Sequence, residues 1–90
     1  MSIEDWRAEI DGIDDELLQL INRRARLALK IGELKRSTGL SLCDPERERQ
    51  VVLRMQTSNT GPLDARAITL LFRFIIRESR RIEAGLATTN

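Results

Sequence analysis

Apolar residues recur at alternating spacings of three and four along the first third of the chain: Ile3, Trp6, Ile10, Ile13, Leu17, Leu20, Leu27, Ile31 and Leu34. Arg24 stands at the one place in the series where an apolar side chain is due. This period describes one stripe of a long helix, predicted over roughly Ile3 to Arg36. Gly32 weakens the pattern without ending it. Two loops follow, Ser37-Thr38-Gly39-Leu40-Ser41 and Thr57-Ser58-Asn59-Thr60-Gly61-Pro62, and they divide the chain into three segments. The second helix opens with Asp44 as N-cap and Pro45 in the first helical position, and runs to about Gln56. Its apolar face holds Val51, Val52 and Met55, with Glu48 on the same stripe one turn earlier. The third helix is predicted from Leu63 to Leu86, with Asp64 near the positive end of its dipole. Ile68, Leu71, Phe72, Ile75, Ile76, Ile82 and Leu86 share a face that Ser79 and Glu83 interrupt. Ala87 to Asn90 are expected to fray.

The pattern predicts an all-α fold of three helices, one of them long and N-terminal, forming a single domain over residues 1–90. A chain of 90 residues buries a modest core. Cys43 is its only cysteine, so no intrachain disulfide supplements that core. A helix of some 34 residues is about 50 Å long, whereas a compact monomer of this size has a radius of gyration near ~12 Å. The first helix must project beyond its own domain with its apolar stripe uncovered. The same helix of a second copy is the simplest cover, so an intertwined homodimer is expected.

Charge narrows the function. Charged residues make up 32% of the chain, yet the formal net charge is only +1, and the signs are interspersed. No overall field favours nucleic acid or a membrane surface. Arg77, Arg80 and Arg81 cluster on the third helix, but the aromatic content of 3% offers no base-stacking platform. No apolar run approaches the ~20 residues of a membrane span, and the acidic Met1-Ser2-Ile3-Glu4-Asp5 start has no apolar signal core, so a cytoplasmic location is expected. The absence of histidine excludes the usual zinc spacings and Cys–His or Ser–His catalysis. Neither a metal nor a cofactor is expected.

What the helical pattern does not explain is polar. Arg24 interrupts the seam of helix one, Lys35 lies near its end, Arg47 and Glu48 open helix two, and Ser79 and Glu83 interrupt helix three. An unpartnered buried charge costs several kcal/mol. Each residue also has a plain structural explanation. Arg24 can pair with Glu83 or Glu48. Lys35 suits a helix C-terminus, and Asp44 suits an N-cap. Arg47 and Glu48 can be solvated, and Ser79 can bond back to a helix carbonyl. Together, however, the three helices bring mostly donors (Arg24, Lys35, Arg47, Ser79) to apolar faces, with few acids beside them. An enclosed pocket rich in arginine and lysine suits a small dianion.

The order of these residues resembles a known family. The run Arg7…Asp11-x-x-Asp14…Leu17-Leu18…Leu20-Ile21-x-Arg23-Arg24…Ile31-Gly32-x-x-Lys35 resembles helix one of AroQ-class chorismate mutases. Asp44-Pro45-Glu46-Arg47-Glu48-Arg49 resembles that family's Asp-x-x-Arg-Glu motif, and Leu63-Asp64…Ile68…Leu71-Phe72…Ile75-Ile76-x-x-Ser79-x-x-x-Glu83 resembles its third helix. The likeness spans about Ile3 to Leu86. It implies conversion of chorismate to prephenate by an intramolecular Claisen rearrangement, in phenylalanine and tyrosine biosynthesis, without covalent intermediate, metal or cofactor.

By this resemblance Arg24 binds one substrate carboxylate, and Arg7 of the partner subunit reaches the other. Lys35 contacts a carboxylate and the ether oxygen. Asp44 and Glu48 position the ring hydroxyl, Arg47 and Ser79 line the ring-carboxylate side, and Glu83 faces the ether oxygen opposite Lys35. Two departures stand out. One branch of the family has glutamine at the position of Glu83; a glutamate donates a hydrogen bond only when protonated, so activity is expected to fall above neutral pH. The connection around Thr60-Gly61-Pro62 is slightly short, which affects a surface loop. Two other functions fit parts of the pattern: an isochorismate-pyruvate lyase on the same scaffold, against which the intact Asp44-x-x-Arg47-Glu48 run argues, and a non-catalytic helical dimerisation module, which gives no reason for Arg24, Ser79 and Glu83.

Overall fold

The computed structural model describes residues 1–85, and among them three helices form: α1 (Ile3–Thr38), α2 (Pro45–Ser58) and α3 (Ala65–Glu83). Leu86 and the tail expected at Ala87 to Asn90 lie outside the described residues. α1 and α2 each run two residues beyond their expected ends. α3 begins two residues late, because Asp64 is its N-cap, accepting a hydrogen bond from the Ala67 amide at 2.8 Å.

Each helix starts where a side chain meets its free amides. Ser2 and Asp5 form a capping box on α1, each side chain accepting from the other's backbone N–H. Asp44 accepts from the Arg47 amide at 3.1 Å, with Pro45 next to it, as expected for the start of α2. α1 ends at Gly39, whose φ of 72° is costly for a residue with a Cβ. That stop leaves Lys35 and Arg36 in the last turn, where positive charge complements the helix dipole.

α3 packs against both α1 and α2, while α1 and α2 do not pack on each other among the described residues. The small core forms along α3, where Ile68 and Ile76 are buried with Val51 of α2 and Ala28 of α1. Gln56 of α2 also donates a hydrogen bond to the Thr69 hydroxyl of α3.

The face of α1 that meets α3 is not the apolar stripe. Ala28 and Gly32 are its buried residues, with Arg24, Ala25 and Lys35 half-buried beside them. Small side chains let the two backbones approach closely. The stripe from Ile3 to Leu34 is left open instead, its apolar members between 48% (Ile31) and 62% (Leu34) exposed. The chain measures 55 × 32 × 15 Å, with a radius of gyration of 16.0 Å, above the ~12 Å of a compact monomer of this length.

Candidate active site

Because α1 and α2 diverge, α3 becomes the floor of a cleft between them. The cleft holds a cavity of about 310 Å³, the size of a small-ligand site. Arg24, Lys35, Asp44, Arg47, Glu48, Ser79 and Glu83 all line it, seven of the eight residues singled out in the sequence. Leu27, Ala28, Ile31, Val51 and Ile76 supply apolar wall.

Helix periodicity explains the convergence. Arg24, Ala28, Ile31 and Lys35 lie three or four apart, on one side of α1. Asp44, Arg47, Glu48 and Val51 follow the i, i+3, i+4, i+7 pattern of one face at the start of α2, and Ile76, Ser79, Arg80 and Glu83 follow it on the last turns of α3. Arg7 is the exception. It precedes Arg24 by 17 residues on the same helix, about 25 Å away along the axis, and is exposed. In this chain it stands apart from the cavity.

The internal partners differ from the expected ones. Arg24 pairs with neither Glu83 nor Glu48; its guanidinium donates to the Ser79 hydroxyl. Ser79 in turn donates to the Ile75 carbonyl at 3.0 Å, the back-bond its position in a helix suggested. Arg24 therefore stands half-buried against a neutral partner, with no carboxylate paired to it among the described residues. Glu83 faces Lys35 instead, with Nζ 3.5 Å from Oε1 and the two side chains 21% and 12% exposed. Glu48 faces Arg80, with Oε1 3.0 Å from Nη2. Asp44 keeps its capping bond to the Arg47 amide, so only part of its carboxylate is committed.

Acids are more numerous here than expected. Three carboxylates (Asp44, Glu48, Glu83) face four cations (Arg24, Lys35, Arg47, Arg80), leaving one positive charge in surplus. In the sequence Arg80 stands out only as one of the cluster Arg77, Arg80 and Arg81 on the third helix. Its spacing of three from Glu83 was the signal that places it on the cleft side of α3.

Gly32, which only weakens the helical pattern in the sequence, has a tertiary role. A Cβ there would lie 2.4 Å from the Glu83 carbonyl oxygen and 2.6 Å from its Cα, closer than packed atoms permit. The Arg36 guanidinium donates to that same carbonyl. The end of α3 that carries Glu83 is thus seated directly on α1.

A larger groove of about 750 Å³ lies between α2 and α3, lined by Arg49, Gln50, Leu53, Arg73 and Arg77 among others. It contains no α1 residue and shares only Glu48, Ile76 and Arg80 with the cleft. The cleft, where all three helices contribute convergent polar groups, is the better site.

Fold and site together define a three-helix chain whose central cleft is rich in arginine and lysine. The family model for chorismate mutase type II matches residues 6–84. The bifunctional chorismate mutase/prephenate dehydratase of Neisseria gonorrhoeae is 45% identical over 80 residues, covering 89% of this chain and 22% of that protein. Among solved structures, chorismate mutase (form II) from Thermus thermophilus superposes with a TM-score of 0.88 at 34% identity, covering 90% of this chain and 92% of that one. Chorismate mutase from Helicobacter pylori, solved in complex with prephenate, gives 0.83 at 28% identity, covering 93% and 91%. The chain belongs to the chorismate mutase type II family, a family of isomerases. It spans about a fifth of the length of the curated relatives it matches. No helix among the described residues is long and apolar enough to cross a membrane.

Proposed function

We propose that the chain converts chorismate to prephenate in the cleft between α1 and α2. The observation that carries this is the convergence of Arg24, Lys35, Asp44, Arg47, Glu48, Ser79 and Glu83 on one small cavity. The reaction is an intramolecular rearrangement: the ether C–O bond breaks, a C–C bond forms, and nothing is gained or lost. Catalysis then reduces to holding the reactive conformer and stabilising charge on the departing ether oxygen.

The roles follow the chemistry of each group. Arg24, whose guanidinium donates to the neutral Ser79 hydroxyl, takes a substrate carboxylate. Lys35 and Glu83, 3.5 Å apart in the open cleft, separate around the ether oxygen. Lys35 donates to it as negative charge develops, and Glu83 donates when protonated. Asp44 and Glu48 receive the ring hydroxyl. Arg47 and Ser79 line the ring-carboxylate side.

The cleft is completed by a second copy. The uncovered stripe of α1 supports an intertwined homodimer, in which the partner's α1 supplies Arg7 to the other carboxylate. The exposed, unpaired Cys43 suits a reducing compartment, in keeping with a cytoplasmic enzyme of phenylalanine and tyrosine biosynthesis.

The test is loss of chorismate absorbance with purified protein, with prephenate identified as product. Arg24→Ala should lower kcat/KM by a factor of a hundred or more, corresponding to about 3 kcal/mol of transition-state binding. Faster conversion of isochorismate to salicylate and pyruvate would move the assignment to a lyase. Inactivity toward both substrates would overturn it.

A further inference from the structure

The Glu48–Arg80 pair spans α2 and α3 at the edge of the cleft. Arg80 Nη2 lies 3.0 Å from Glu48 Oε1, with the side chains 42% and 24% exposed. The pair forms the partition between the cleft and the outer groove, since both residues line both cavities. Arg80 is not saturated by packing: its Nε is buried with no hydrogen-bond partner among the described residues. Without Arg80 the cleft's own cations and carboxylates would be equal in number, three against three.

We propose that Arg80 is a positioning residue for the ring-hydroxyl side of the site. It grips one oxygen of Glu48, keeps the carboxylate turned into the cleft, and offsets its charge so that a dianionic substrate is not repelled. The assignment rests on the mutase reading, in which Glu48 receives the ring hydroxyl. Glu48 needs such a partner because it opens a helix bearing two further acids nearby, Asp44 and Glu46. Glu46 is itself engaged by Arg49, on the side away from the cleft. A single interhelical arginine therefore decides where the Glu48 carboxylate points. Glu48 retains a second oxygen to accept the substrate's hydroxyl hydrogen.

The experiment is a kinetic double-mutant cycle on the full chain, with chorismate as substrate, using wild type, Arg80→Met, Glu48→Gln and the double variant. Arg80→Met is expected to raise KM about tenfold and change kcat less than about threefold, since the hydroxyl contact is made in ground and transition states alike. In the Glu48→Gln background the same replacement should change KM less than about twofold. Arg80→Lys keeps the charge but not the fork, and should recover part of the loss. A purely structural tie would lower the melting temperature of Arg80→Met and leave KM in place, overturning the proposal. So would equal, additive losses in the two backgrounds. If Arg80→Met melts below the assay temperature, the cycle is run with Arg80→Lys, where the same non-additivity is expected and additivity overturns the proposal. Wild-type turnover with an unaffected Arg80→Met defeats only the role of Arg80. Wild-type protein that makes no prephenate defeats the mutase reading and the role of Arg80 together.

Discussion

Gly32 of α1 and Glu83 of α3 meet backbone to backbone, with no room for a single methyl group between them. A Cβ on Gly32 would stand 2.4, 2.6 and 2.8 Å from the carbonyl oxygen, Cα and carbonyl carbon of Glu83. The obstacle is main chain, which cannot swing aside as a side chain does. This contact sets the depth at which Glu83 sits against Lys35, three residues further along α1.

Gly32→Ala tests that relationship by its sign. In an open helix the change stabilises by about 1 kcal/mol. Here overpacking should destabilise by about 1–3 kcal/mol and lower the melting temperature. Displacement of Glu83 from Lys35 should also reduce kcat by tenfold or more. A calorimetric scan alongside steady-state kinetics checks both, and a stabilised, fully active variant contradicts the contact.

The open stripe of α1 predicts a dimer. Light scattering at micromolar concentration should return twice the chain mass of 10.3 kDa. Leu17→Glu places a charge at the middle of the stripe and should release monomers, because a charge cannot be buried there without a partner. Activity should be lost with the dimer, since Arg7 lies about 25 Å from Arg24 of its own chain. A monomeric, active wild type refutes both parts.

Glu83→Gln should test what that side chain offers the ether oxygen. A carboxylate has no hydrogen to give, whereas a glutamine amide carries two. Glu83→Gln should therefore keep or raise kcat for chorismate in steady-state kinetics. A loss of tenfold or more would show that the ion pair with Lys35, whose Nζ lies 3.5 Å from Glu83 Oε1, matters more than a donated hydrogen.

Two N-caps with the same hydrogen-bond pattern separate stability from function. Asp44 and Asp64 each accept from the amide three residues on, at 3.1 and 2.8 Å. Alanine at either should cost about 1 kcal/mol. Asp64 starts α3 at the end of that helix remote from Ser79 and Glu83, so Asp64→Ala should keep its KM. Asp44→Ala removes a cleft residue as well as a cap and should raise KM at least several-fold. Thermal melts and kinetics on the two variants settle the contrast.

Much of the architecture was legible in the chain itself. Three helices, their order and the Asp44-Pro45 start follow from rules that act over four residues, periodicity and capping, whereas α1 runs to Thr38, two residues past the expected Arg36, and is capped by Gly39. The candidate site was legible for a related reason. Arg24, Lys35, Arg47, Glu48, Ser79 and Glu83 are charged or polar groups that the helical pattern does not explain; Asp44, which an N-cap explains locally, joins them only through the family resemblance, and all seven line one cleft.

Which surfaces meet depended on distances that no local rule contains. The strongest sequence signal on α1, the leucine and isoleucine stripe, pointed to an interface, yet within this chain α1 uses Ala28 and Gly32 to meet α3. Small residues permit close approach of two backbones, but their smallness carries meaning only when the second backbone is in place. The pairings of Arg24 with Ser79, Lys35 with Glu83 and Glu48 with Arg80 likewise join residues 32 to 55 positions apart. Their partners were chosen by the register of α3 between its two neighbours, because a shift of one residue turns a helix by about 100° and exchanges every contact. The chain alone therefore determined its helices and the kinds of group they bring to a site. Tertiary packing decided which of those groups face one another, and so which charge is left for a ligand.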